Sequence, residues 1–172
     1  MNTRTLFEHP ICRVEGFDVP SRSGPQTFMR LCVADWVNVV AVDQAQRIVL
    51  IRQHRWGIDA ETLEIPGGVV DPGEAPLQAA QRELREETGY TGGVWSELGW
   101  LHPNPAIQDN RVWTFLAQGV ALTHAQEPDP TEDIAVELRS WAQVRDDLLQ
   151  QRISHALVAA ALQRYALTHP SP

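Results

Sequence analysis

Residues 68–90 read GVVDPGEAPLQAAQRELREETGY, and this stretch decides how the chain is read. Gly68 stands ahead of Glu74, and Arg82-Glu83, Glu86-Glu87 and Gly89 follow. Between the two glycines the spacing predicts one helix, with Pro76 suited to its first turn and Gly89 to its stop. A helix turns once per ~3.6 residues, so Glu83, Glu86 and Glu87 project from one side. The buried stripe is then expected at Leu77, Ala80 and Leu84, away from the glutamates. Three carboxylates on one face repel each other unless something cationic joins them. Hard divalent cations are the usual partner, and Mg²⁺ suits a few carboxylates together with substrate phosphates.

The stretch resembles the Nudix box, G-x5-E-x7-R-E-U-x-E-E-x-G-U, where U is bulky and apolar. Gly68, Glu74, Arg82, Glu83, Leu84, Glu86, Glu87, Gly89 and Tyr90 match every fixed position. At average residue usage, the odds of a chance match in a chain of this length are on the order of one in a million. An ordinary acidic amphipathic helix behind a glycine turn is the bland alternative. The resemblance implies an α/β fold, the Nudix-type α/β/α sandwich with a mixed β-sheet and an N-terminal β extension. It also implies hydrolysis of a nucleoside diphosphate linked to another group, with Mg²⁺ as cofactor and Mn²⁺ as a substitute.

Upstream of the box, 37–42 and 48–51 are rich in β-branched residues and flank a polar 43–47, which predicts a hairpin. Leu63–Ile65 reads as a short strand stopped by Pro66-Gly67-Gly68. Downstream, 98–101 and 112–117 look like strands, and Ile134, Val136 and Leu138 alternate with polar or small neighbours as in a half-exposed strand. Residues 143–150 and 154–165 read as closing helices. Near the start, apolar patches at 11–14 and 17–19 are split by Gly16, and 20–25 reads as a turn. Strands, a helix, more strands and then helices suggest a mixed sheet flanked by helices.

The chain has 172 residues, 43% of them hydrophobic and 21% charged, as expected of one globular domain. The net charge of −8 disfavours nucleic acid or an anionic membrane as a partner. An anionic substrate would need local help from metal ions and arginines. No early apolar run reads as a signal peptide and no stretch is long enough to span a bilayer. Cys12 and Cys32 are most simply free thiols in a reducing cytosol, so a cytoplasmic protein is expected. The six histidines lack zinc-type spacing, and no Walker A loop, G-x-S-x-G elbow or C-x-x-C pair is present.

The flanks narrow the resemblance. IRQHRWGIDAETLEIPGG (51–68) looks like the R-Q-x-R…E-x-x-E-x-P-x-G segment of ADP-ribose and nucleoside-diphosphate-sugar hydrolases. LHPNPAIQDNRVWTFLA (101–117) and DPTEDIAVELRSW (129–141) look like that group's proline-containing segment and acidic loop. The expected substrate is therefore ADP-ribose or a related sugar nucleotide, cleaved to a nucleoside monophosphate and a sugar phosphate. A dinucleotide, a coenzyme or a damaged nucleoside triphosphate is an alternative. A non-catalytic Nudix-fold nucleotide sensor is another, against which stand the intact box and the lack of a helix-turn-helix extension.

Carried over position by position, the resemblance implies Glu83 and Glu87 as metal ligands. Glu86 binds a further metal or its water, and the Gly67 carbonyl is an extra ligand. Arg82 is expected to bond Glu74 and keep the carboxylates aimed, with Gly68 and Gly89 structural in the site. Arg52, Arg55, Trp56 and Glu64 are candidates for substrate binding; Glu61 matches a further acidic position. An arginine's planar donor fork suits phosphate, and a surface ion pair is the bland alternative. In the late loop Glu132 matches a metal-binding and catalytic place. Pro130 stands where related hydrolases carry the glutamate base, which leaves Asp129, Glu127 or Glu132 itself. The division expected is a β extension over residues 1–35, in a homodimer interface, and a Nudix domain over 36–172. Phe7, Phe17 and Phe28 are then candidates to stack on the nucleotide base.

Overall fold

A computed structural model describes residues 3–169. Residues 1–2 of the expected extension and 170–172 of the expected domain lie outside the described residues. Strands β1 (Thr3–His9), β2 (Cys12–Val19) and β3 (Gln26–Val33) form a three-stranded antiparallel sheet. Apart from Ile11, which lies in the preceding turn, the two apolar patches lie in a single strand, β2, rather than in two pieces. Gly16 lies inside it, and the Leu6 side chain of β1 sits 3.0 Å from where a Cβ on Gly16 would stand. Cys12 and Cys32 are both free. Cys32 faces Arg13 across β2–β3, so the neighbouring Cys12 points to the other face. The sheet joins the body where the Leu31 N–H donates to Ile107 O at 2.7 Å and Arg30 pairs with Asp109 at 3.6 Å.

The body is a seven-stranded mixed sheet. Its strands are β4 (Trp36–Asp43), β5 (Arg47–Arg55), β6 (Ala60–Glu64), β7 (Tyr90–Thr91), β8 (Val94–Leu101), β9 (Val112–Leu122) and β10 (Ile134–Ser140). The central path runs β10-β5-β4-β9-β7, with β6 beside β5 and β8 beside β9. Only β4 and β9 pair in parallel within it. β4 reads as an almost unbroken apolar run because both its faces are covered. Val37, Val39 and Ala41 face α1 (Pro76–Thr88) together with Ala79, Ala80 and Leu84. Val40 and Val42 face the other way, into a core shared with Val144 of α2 (Trp141–Leu149) and Val158 and Leu162 of α3 (Ala156–Thr168). Helices on both sides of one mixed sheet make the sandwich. Leu84 is fully buried, and truncating it to Ala would cost roughly 2–5 kcal/mol.

The sheet forks next to the site. β5 pairs with β4 only at Ile48 and Val49, then takes β6 as its neighbour from Ile51 onward. The chain leaving β6 crosses the opening and runs along the start of β4. The Val39 N–H donates to Pro66 O and the Val37 N–H to Gly68 O, both at 2.8 Å. The glycine turn ahead of α1 is thereby fixed to the middle of the sheet.

Helix α1 begins with Pro76 at its first turn and ends at Gly89, whose φ of 73° is left-handed. A Cβ at Gly89 would also lie 2.2 Å from His124 O. The buried stripe differs from expectation at one end. Leu77 is 39% exposed, and the buried positions are Ala79, Ala80, Leu84, Glu87 and Thr88. Leu77 is in the first turn, where it walls a shallow groove with Trp95, Trp113 and Phe115. Glu87 is one turn beyond Leu84 on the apolar stripe, so the helix buries a metal-candidate carboxylate instead of presenting all three to water.

Candidate active site

Three walls enclose a cleft of ≈530 Å³ lined by Glu83, Glu86, Glu87, Glu132, Asp129, Asp71, Arg55 and Arg82, with Gly67 and Gly68 among the backbone. Helix α1 supplies the first wall. Glu87 Oε2 accepts the Gly67 N–H at 2.9 Å. Glu83 lies so close to Gly68 that a Cβ there would stand 2.2 Å from Glu83 Oε1, so any side chain at residue 68 would push the Glu83 carboxylate aside. Arg82 is the hub. It donates to both oxygens of Glu74 at 3.0 Å, to Val69 O at 2.9 Å, to Glu83 at 2.8 Å and to Glu86 at 3.3 Å.

Strands β5 and β6 supply the second wall. Arg55 forks onto Glu64, with Nε to Oε1 at 2.8 Å and the terminal nitrogen to Oε2 at 2.7 Å. The Thr62 hydroxyl donates to Glu64 at 2.5 Å. Arg55 also lies over the Trp36 ring, 5.8 Å from its centroid. Glu64 is thus Arg55's anchor, and its carboxylate points at protein groups. Trp36 was invisible as a site residue, since a tryptophan opening an apolar strand reads as core. Arg55 and Trp36, with Val69, also line a second, mainly apolar cleft of ≈570 Å³. Pro10 and Ile11, from the β1–β2 turn, close part of it.

Arg52 and Trp56 do not join them. Side chains alternate along a strand, so Arg52 and Arg55, three apart on β5, point to opposite faces. Arg52 bonds Glu137 at 2.9 Å, away from the cleft. Trp56 lies just past β5, 79% exposed and edge-on to His54. Glu61 is exposed on β6. Phe17 and Phe28 stack on each other within the N-terminal sheet and Phe7 stacks on His9; none lines either cleft.

The third wall is the loop between β9 and β10. Asp129 and Glu132 line the cleft, and the Asp129 N–H donates to Glu132 Oε2 at 3.2 Å. Glu127 is engaged by Arg85 at 2.7 Å. Neither Glu127 nor Pro130 is among the lining residues.

Electrostatics separate the walls. Burial pushes the Glu83 carboxyl up to about 7, against the pull of Arg82 and with added repulsion from Glu86 and Glu132. Burial raises Glu87 well above the usual carboxylate range, opposed by the Gly67 N–H and reinforced by Glu83 and Glu132. Burial works against Glu64 as well, yet hydrogen bonds from Arg55 and Thr62 hold it below that range. Among the described residues no three carboxylate, imidazole or thiol groups converge into a ready coordination sphere. Arg82 draws Glu83 and Glu86 onto itself. The donor set nevertheless fits a hard divalent cation. Its oxygens are carboxylates, Glu87 is buried and Glu83 half-buried at a cost that cationic charge would relieve, and both lining arginines are already paired. No helix of the described residues is long and apolar enough to cross a membrane.

A family model, the NUDIX domain, matches residues 34–161. An ADP-ribose pyrophosphatase of Bacillus subtilis is 35% identical over 101 residues, 58% of this chain and 55% of that protein. One of Mycobacterium tuberculosis is 31% identical over 137 residues, 77% of this chain and 65% of that protein. The chain thus spans between about half and two thirds of the length of these relatives. A crystal structure of an ADP compounds hydrolase superposes with a TM-score of 0.87 over 99% of this chain and 92% of that one. At 23% identity it speaks for the fold alone.

Proposed function

The chain belongs to the Nudix family, and from that premise we propose that it hydrolyses the pyrophosphate bond of ADP-ribose or a related nucleoside-diphosphate sugar, with Mg²⁺ as cofactor. One observation carries the reading. The acidic cleft and the apolar cleft share a wall, Trp36, Arg55 and Val69, so a charged bridge and an attached uncharged group can be held side by side. The relatives named above are consistent with that substrate class.

Nudix hydrolases generally use divalent metal ions. A bound ion neutralises pyrophosphate charge and orients its oxygens. Glu83, Glu86, Glu87, Glu132 and the Gly67 carbonyl would hold it. Arg82, anchored on Glu74, keeps the α1 carboxylates aimed. Arg55 is held rigid by Glu64 and steadies a phosphate oxygen where the two clefts meet, since a guanidinium edge matches phosphate geometry. Glu132, or failing it Asp129, accepts the proton of the attacking water. Trp36 and the β1–β2 turn exclude water around the nucleoside or sugar.

The exposed Leu6, Phe7, Phe28 and Met29 of the N-terminal sheet support a homodimer in which residues 1–35 meet the partner. A monomer mass by light scattering at micromolar concentration would overturn that part. For the activity, incubation with a panel of sugar nucleotides and Mg²⁺ should yield AMP and ribose 5-phosphate from ADP-ribose, read by mass. Release of inorganic pyrophosphate from nucleoside triphosphates, with sugar nucleotides left intact, would sink the reading.

A further inference from the structure

We propose that Gln126 is a positioning residue, whose side-chain amide splices the loop bearing Asp129 and Glu132 to the last turn of α1. The proposal rests on the role given above to Glu132. Gln126 Nε2 donates to two carbonyls at once, Glu87 O at 2.6 Å and Ile134 O at 3.1 Å. Glu87 belongs to the last turn of α1, where carbonyls lack an intrahelical partner. Ile134 is the first residue of β10. One amide therefore sets the distance between the helix that carries the box glutamates and the strand to which the loop returns.

The surrounding bonds point the same way. The Thr123 and His124 N–H groups both donate to Gly89 O, at 3.0 and 3.1 Å, and the Glu127 N–H donates to Glu86 O at 2.8 Å. Arg85, at a position the box leaves open, bridges Glu86 and Glu127. The loop entrance thus lies along the helix end. Beyond it the hydrogen bonds are local, with the Glu132 N–H to Asp129 O at 2.8 Å and the Asp129 N–H back to Glu132 Oε2. The place of Glu132 over the cleft therefore depends on how the loop's two ends are held, and Gln126 ties one to the other.

The test compares Gln126→Leu, Glu132→Gln and the double variant in the full chain, by kinetics on ADP-ribose with Mg²⁺ and by amide hydrogen exchange without substrate. Gln126→Leu should lower kcat by about tenfold with KM little changed, the scale of losing a group that orients a functional ligand. Exchange should quicken at residues 127–132 and stay as in wild type in α1 before its last turn. Because Gln126 acts through Glu132, the double variant should be no slower than Glu132→Gln alone. Multiplying losses, or wild-type turnover in Gln126→Leu, would overturn the proposal. If Glu132→Gln keeps full turnover, or no sugar nucleotide is cleaved, the functional reading fails separately and exchange judges the splice. Unchanged protection at 127–132 then overturns it, and selective loss supports it.

Discussion

The β5–β6 wall of the acidic cleft and the α1 wall each bury a glutamate, and the two behave in opposite ways. Glu64 is 2% exposed and Glu87 is 3% exposed, so both are all but closed off from solvent. Glu64 receives the fork of Arg55 and the Thr62 hydroxyl and is held below the usual carboxylate range. Glu87 receives one backbone N–H, faces the like charges of Glu83 and Glu132, and is pushed well above that range. Burial alone therefore does not set the charge state; Glu64 is forked by a guanidinium, and Glu87 has no cation bonded to it. The β wall has a cation of its own. On the α1 wall Arg82 reaches Glu83 and Glu86 but makes no contact with Glu87.

Neutralising Glu87 is the most direct way to break this contrast. Glu87→Gln should lower turnover with Mg²⁺ by roughly 10³-fold, since charge stabilisation at a metal site is worth several kcal/mol. The metal-free variant should unfold no earlier than wild type at pH 8, because the change removes a carboxyl whose ionised form burial disfavours. Steady-state kinetics and thermal unfolding read the two effects. Wild-type kinetics in the folded variant would remove Glu87 from the site.

The same exchange at Glu64 should have the opposite signature. Glu64→Gln leaves Arg55 without its partner and should destabilise the fold by about 3 kcal/mol, the cost of breaking a buried pair from one side. The loss of kcat should be smaller than for Glu87→Gln, with KM raised as Arg55 loosens. Urea unfolding and substrate titration test this. A stability equal to wild type would show that the pair does not anchor the wall.

The smallest effect sharpens the contrast through pH. Glu83 titrates near 7 in the native protein against an ordinary value of 4.5. Between these values the unfolded chain has released its proton and the native chain still holds it, so stability falls as pH rises through that window. The metal-free protein should lose on the order of 5 °C in Tm from pH 5 to pH 8. A divalent ion should restore it, increasingly so toward pH 8. Glu64 works in the other direction. Its folded value is lowered, so its contribution is present above 4.5 and fades only in acid below it. A metal-free Tm that rises steadily from pH 5 to pH 8 would contradict the assignment of Glu83.

Much of this was legible in the chain. The helix over 76–88, its glycine stop and the β4–β5 hairpin follow from spacings within the segment that forms them, and the Arg82–Glu74 contact is what the resemblance to the box implied. The strand period would also have separated Arg52 from Arg55, had the register of β5 been known. Other features had no local signal. Leu77 sits on the helical stripe but over a groove instead of the sheet, and nothing in its neighbours says where the sheet ends. Trp36 becomes a site residue only because Arg55, on the next strand, lies over it. Gln126 has no motif at all; its two carbonyl partners are 39 and 8 residues away.

By itself the sequence determined the family and the spacing of its acidic residues, because the box places its carboxylates, arginine and glycines within one helix and its leading turn, where 3.6-residue geometry already sets their mutual positions. Only the tertiary structure decided which charges are met. The partners of Glu64 arrive through the pairing of β5 with β6, and the neighbours of Glu87 through the crossing of Gly67 onto β4 and the loop returning to β10. Those contacts are fixed by how faces are buried against one another, and burial is a property of the assembled sheet and helices rather than of any segment within them.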